Sequence, residues 1–176
     1  MVLLDSQAVK NTDSARETWF CHYKCVNWIK RHLLVDVLWI PVSILVTTAN
    51  ISDKEWGKQL WRLNKNVLKW IKDVLADNGY AGKWFKISFK KTTWITVEIT
   101  PKPTKDPENP WFKPTHKRWI VERSNAHMDK CRRLHKNNEW LTNTSEAMIK
   151  LCFIRLILRR LSWRSKPWKR RKKTPK

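Results

Sequence analysis

Two short apolar runs in this chain each lead into an aspartate, and that pairing restricts the fold more than anything else in the sequence. Val2 to Leu4 runs into Asp5, and residues 71 to 76, IKDVLA, run into Asp77. A buried strand holds the residue at its end on rigid backbone, which suits a side chain that must keep its place. Taken singly, each aspartate reads as an ordinary turn residue. Between the two runs, His32 to Leu38 and Pro41 to Thr48 are rich in Leu, Val and Ile and meet at Trp39 and Ile40, which predicts a hairpin. Ser52 with Glu55 three residues on is a capping box, opening a helix with Leu60, Leu63 and Val67 on its core face and an end near Lys69. The order is strand, hairpin, helix, strand. A right-handed crossover sets the fourth strand beside the first and makes neighbours of two aspartates 72 residues apart.

A third carboxylate stands in Lys117 to Arg133, KRWIVERSNAHMDKCRR. This stretch has neither Pro nor Gly. It places Val121, Met128 and Cys131 on one side at helical spacing and Arg118, Glu122, Asn125 and Asp129 on the other, so it predicts a helix. By itself Glu122 with Arg118 four residues before it reads as an ion pair on a solvated helix face. Ahead of the helix, Tyr80 to Lys90 predicts a short helix and Ile95 to Thr100 a strand. Five prolines between Pro101 and Pro114 predict a loop. After it, Asn143 and Glu146 repeat the capping-box spacing before an apolar helix to about Leu161. One domain over residues 1–161 and a basic, disordered tail over 162–176 follow from this reading.

The chain holds 37 Lys plus Arg against 15 Asp plus Glu, a net charge of +22. A field of that size implies a polyanionic partner, with Lys10, Lys24, Lys30 and Arg31 placed for phosphate contact. No membrane span is expected: the most apolar run, Met148 to Leu161, is interrupted by Lys150, Arg155, Arg159 and Arg160. The start lacks the apolar core of a signal peptide, so the expected location is cytoplasmic. Cys21, Cys25, Cys131 and Cys152 form no Cys-x-x-Cys pair and read as reduced packing thiols rather than zinc ligands.

Thirteen tryptophans stand against three glycines. Several fall where a turn wants glycine: Trp39 between two strand runs, Trp70 after a helix, Trp111 after Asn-Pro, Trp163 and Trp168 in the tail. The expectation is that many of these codons are UGA, read as glycine in the source organism. The competing explanation is a Trp-rich protein that stacks on bases.

The order DSQAVK, then ADNGY, then RWIVERSNAHMDKCRRL followed by SEAMIKLCFIRLILRRL resembles the catalytic core of bacterial insertion-sequence transposases of the DDE class, from Asp5 to about Leu161. The family commonly has glycine where Trp39 stands, whereas Trp119 belongs to the resembled motif. The resemblance implies an α/β fold, an RNase H-like mixed β-sheet flanked by helices. It implies Asp5, Asp77 and Glu122 as the catalytic carboxylates and as ligands of Mg2+ or Mn2+, with Asp5 shared between two ions. Three carboxylates are the hard-oxygen set that two divalent ions about 4 Å apart require for phosphodiester chemistry. Lys10, Arg118, Arg123, Lys130, Arg132 and Arg133 would contact DNA. The implied reaction is strand cleavage and strand transfer at element ends, by a homo-oligomer assembled on DNA. In the wider superfamily a Tyr, Arg, Glu, Lys signature surrounds the glutamate. Arg118 keeps its spacing here, but position 115 is Thr, position 129 is Asp, and Lys130 lies one residue further on. The family commonly has a helical region before the first aspartate, which this chain reaches at residue 5, as expected of a frameshift-encoded half or a fragment. A non-catalytic basic nucleic-acid-binding protein, or an inactive remnant, is the alternative.

Overall fold

Among the described residues of the computed structural model, a six-stranded mixed sheet separates two pairs of helices. The structure describes the chain apart from residues 18, 22–25, 64, 65, 67, 68, 101–116, 118 and 165–176, and for 21, 26, 60, 63, 163 and 164 the backbone only. The strands are β1 (Val2–Lys10), β2 (Trp19–Cys21), β3 (Val26–Asp36), β4 (Pro41–Thr48), β5 (Asp73–Ala76) and β6 (Thr96–Ile99). The helices are α1 (Asp53–Leu63), α2 (Lys83–Thr93), α3 (Trp119–Asp129) and α4 (Thr142–Arg164), with single 3-10 turns at Asn78–Tyr80 and Arg132–Leu134.

Central β1 pairs antiparallel with β3 on one side and parallel with β5 on the other. β6 continues the parallel side. The outer edge of β3 carries β2 against Val26–Trp28 and β4 against Ile29–Val35. Alternation along β1 and β3 gives each sheet face its own core. Val2, Leu4, Leu34 and Val74 meet Trp61 of α1 and Phe85 and Phe89 of α2. Leu3, Val9, Ile29, Leu33 and Leu75 meet Ile120, Val121 and Met128 of α3 and Ile149 and Phe153 of α4. Gly57 lets α1 lie close to the sheet, because a Cβ there would stand 3.1 Å from Leu4 Cδ2 and 3.3 Å from the Tyr80 ring.

Several expected boundaries move. β1 does not stop at Asp5: it runs to Lys10 because β3 pairs with it from Val2↔Asp36 to Lys10↔Trp28. β3 correspondingly begins at Val26, six residues before the expected His32. Its residue Arg31 is fully buried and donates from Nη1 to the Leu134 carbonyl at 2.8 Å, so it does not contact phosphate as expected. Burial lowers the Arg31 pKa to about 10, partly offset by Asp129. The helix expected over Tyr80 to Lys90 starts at Lys83, since Asn78–Tyr80 forms a 3-10 turn and Gly82 is the N-cap. α1 buries Trp61, while the expected core side chains Leu60, Leu63 and Val67 lie outside the described residues. The Pro101 to Pro114 loop also lies outside them.

The Ser52 cap holds, its Oγ accepting the Glu55 N–H at 3.4 Å. Glu146 acts differently from a capping residue. Its Oε1 accepts the Val46 N–H at 2.9 Å, so an acid on α4 satisfies a donor of edge strand β4. The hairpin turn is closed by Asp36, whose Oδ1 accepts from the Leu38 and Ile40 N–H groups at 2.9 Å each. Within that turn Trp39 has φ 58°, and Trp94, which caps the C-terminus of α2, has φ 63°. Both lie in the left-handed region that glycine favours. No helix among the described residues is long and apolar enough to cross a membrane.

Candidate active site

Register brings the two aspartates together. Leu3 pairs with Leu75 and Leu4 with Ala76, so Asp5 and Asp77 are the next residues along adjacent parallel strands. Each stands two residues after a leucine buried on the α3/α4 face, so by strand alternation both belong to that face. The ladder between β5 and β6 closes with the Thr100 N–H donating to the Ala76 carbonyl at 3.0 Å. Beyond it the chain turns away at Asp77, leaving an open strand end.

α3 supplies the third carboxylate. Ile120, Val121, Ser124 and Met128 form its buried stripe, and Glu122 is turned outward beside that stripe. A cleft of about 110 Å³ results, lined by Asp5, Asp77, Thr100, Glu122 and Asn125 over a floor of Leu3, Leu75 and Val121. All three expected carboxylates therefore face one cleft from three separate elements. Two consecutive α3 side chains fix the helix there. The Ser124 Oγ donates to the Trp39 carbonyl at 2.8 Å, and the Asn125 Nδ2 donates to Asp5 Oδ2 at 3.2 Å.

The donor chemistry suits a hard divalent cation, which takes carboxylate oxygens. Among the described residues no three His, Cys, Asp or Glu side chains are gathered tightly enough to form a metal cage. The buried Tyr80 hydroxyl offers no phenolate, because burial raises its pKa first and the Asp53 and Asp5 carboxylates raise it further.

The expected DNA contacts fall in two places. Lys10, Arg123, Lys130, Arg132 and Arg133 are all exposed, and Arg118 lies outside the described residues. Lys10 is five residues past Asp5, roughly 17 Å along the strand. Its carbonyl accepts the Asn137 N–H at 2.9 Å, so it adjoins the segment that carries Arg132 and Arg133. Arg133 also pairs with Glu139 at 2.9 Å. Arg123 instead leans toward the hairpin turn, 5.0 Å from the centre of the Trp39 ring. His127 stacks on the same ring at 4.5 Å and does not line the cleft. Cys131 and Cys152 are free, half-buried thiols packed against the aliphatic core. Burial, then Cys131, pushes the Cys152 thiol up to about 11. The side chains of Cys21 and Cys25 lie outside the described residues.

Asn125 and Thr100 join the site without having been singled out in the sequence as site residues. For Asn125 the signal was present, since it falls one turn after Glu122 on the same side of the helix. Nothing local marks Thr100.

A comparison with curated proteins finds no match. A family model described as transposase DDE domain matches residues 1–157, most of the chain and all three carboxylates. The chain belongs to the transposase DDE domain family.

Proposed function

We propose that this chain is the catalytic core of an insertion-sequence transposase that performs metal-dependent DNA strand cleavage and strand transfer. The observation that carries the proposal is the convergence of Asp5 within β1, Asp77 just past the end of β5 and Glu122 on α3 on one cleft in a chain of this family. The strand order β4-β3-β1-β5-β6, antiparallel through β1 and parallel beyond it, supports an RNase H-like architecture.

Asp5, Asp77 and Glu122 would together hold Mg2+ or Mn2+. The bound ions would supply charge stabilisation at the attacking and leaving oxygens of the phosphodiester. The paired strands β1 and β5 fix two of the ligands on rigid backbone, Asp5 within β1 and Asp77 just past β5, and α3 brings the third. Water and then a freed 3′ hydroxyl act as nucleophiles, so no covalent protein–DNA intermediate forms. The exposed cations Lys10, Arg123, Lys130, Arg132 and Arg133, with Arg118, would position phosphates without reading sequence. With a net charge of +22, DNA binding should weaken steeply with salt. A second copy of the chain on the same DNA is part of the proposal.

The test is a magnesium-dependent cleavage and joining assay on DNA carrying the ends of the source element, comparing the chain with its Glu122→Gln variant. Cutting and joining that vanish in the variant support the proposal. DNA binding without cutting in either protein overturns it in favour of a binding protein or an inactive remnant.

A further inference from the structure

We propose that Asn125 is a positioning residue for the carboxylate cleft, fixing the Asp5 side chain and, through the helix, the direction in which Glu122 faces. The inference rests on the metal-dependent reading above.

Asn125 bridges the two structural sources of the site. Its Nδ2 donates to Asp5 Oδ2 at 3.2 Å, from α3 to β1 across 120 residues of chain. The direction of the amide follows from chemistry. An ionised carboxylate only accepts, so turning the amide round would set two acceptors against each other. Glu122 precedes Asn125 by three residues, which puts the two about 60° apart around the helix axis. Tying Asn125 to the strand therefore limits how far Glu122 can swing. Ser124, which precedes Asn125 and faces the buried side of the helix, is bonded to the Trp39 carbonyl at 2.8 Å. With adjacent residues anchored to β1 and to the β3–β4 turn, α3 can neither roll nor slide without breaking one of the bonds.

An amide suits this position better than the alternatives. Lysine or arginine would also donate to Asp5, but would place a fixed positive charge where the carboxylates must attract cations. Aspartate would repel Asp5 until a cation arrived. Asparagine donates one hydrogen bond while leaving the charge of the three acids intact. Its Oδ1 is buried and has no hydrogen-bond partner among the described residues, and it lies beside the cleft that Asn125 lines.

The experiment uses the full chain and Mn2+ as the probe, reading the metal concentration that half-saturates thermal stabilisation, alongside cleavage of element-end DNA. In Asn125→Leu the metal-free melting temperature should stay near wild type. The half-saturating Mn2+ concentration should rise about tenfold, the scale on which partners of metal ligands act. Asn125→Asp should separate the two readouts, binding Mn2+ at least as tightly as wild type while cutting more slowly, because it adds an oxygen but loses the amide donor. A purely structural role would lower the metal-free melting temperature of both variants together and leave the half-saturation point alone, and that result would overturn the proposal. Asp5→Asn separates this failure from failure of the function itself. If Asp5→Asn abolishes Mn2+ stabilisation and neither Asn125 variant shifts it, Asn125 alone is wrong. If the wild-type chain shows no Mn2+ stabilisation, or Asp5→Asn leaves it intact, both proposals fall.

Discussion

The two faces of the sheet are built from different materials. On the α1/α2 face the core holds an aromatic cluster, with Trp61, Tyr80, Phe85 and Phe89 interlocked at ring separations of 5.5 to 5.6 Å. The α3/α4 face is aliphatic and threaded with buried polar tethers. These include Arg31 to the Leu134 carbonyl, Ser124 to the Trp39 carbonyl, and the Asn137 amide to Asn11 Oδ1 at 3.0 Å. Apolar packing is strong but non-directional, whereas a buried hydrogen bond is worth little net and fixes direction. The first face accordingly suits stability and the second suits alignment. The α1/α2 face has a buried polar pair of its own in His32 and Thr47, and the carboxylate cleft is on the face that has more of the tethers.

Variants should divide along the same line. The largest effect belongs to Glu122→Gln, which should reduce strand cleavage by more than about 100-fold, since even partners of metal ligands cost 10- to 100-fold. Its melting temperature should stay close to that of the parent, because Glu122 is exposed on α3. A large loss of stability in this variant would erase the distinction between the faces.

The α1/α2 face has a pH dependence of its own. His32 is buried, shares a hydrogen bond between its Nε2 and Thr47 Oγ1 at 3.0 Å, and stacks on Trp56 at 5.8 Å. Burial lowers its pKa to about 4, with Asp53 raising it and Lys30 lowering it. Below the ordinary value near 6.5 the unfolded chain takes up a proton that the folded chain refuses. The stability is thus complete above that pH and lost as pH falls toward 4, on the order of 3 kcal/mol from this group. Denaturant unfolding at a series of pH values should show the loss, and His32→Gln should flatten it. On the other face, Ser124→Ala should cost about 1–3 kcal/mol by leaving the Trp39 carbonyl without its donor. Cleavage should fall in the same variant, measured where it is still folded.

How much was legible depended on whether the signal was local. The paired aspartates could be read because apolar runs and their terminal residues lie together in sequence, and the crossover rule places such strands side by side. Val121, Met128 and Glu122 fell on the expected sides of α3 because helical spacing is a local property. Arg31 could not be placed: an arginine in a basic stretch reads as solvated, and only the long pairing of β1 with β3 turns it inward. Glu146 misled for a similar reason. Its capping-box spacing is real, but its acceptor faces a strand 100 residues away. Thr100 enters the cleft only because β6 lies beside β5.

The smallest effects concern the two tryptophans in left-handed backbone, one at each face's turn. Each costs roughly 1–2 kcal/mol relative to glycine by the clash of its Cβ with the following carbonyl. Trp94 is 90% exposed, and its structural contribution is its N–H, which donates to the Lys90 carbonyl at 2.8 Å and ends α2 as glycine would. Trp94→Gly should therefore stabilise the chain by about 1 kcal/mol. Trp39 has the same backbone but a used ring: Arg160 lies 3.1 Å from its centre, Arg123 5.0 Å, and His127 stacks on it. Cation–π contacts of about 0.5–2 kcal/mol offset the strain, so Trp39→Gly should change stability by less than Trp94→Gly, in either direction. Equal stabilisation by both would show that the ring contacts contribute nothing. The coding DNA offers an independent reading, since glycine in the source organism predicts UGA at positions 39, 70, 94 and 111. UGG at Trp39 and Trp94 would mean that the chain tolerates both strained turns.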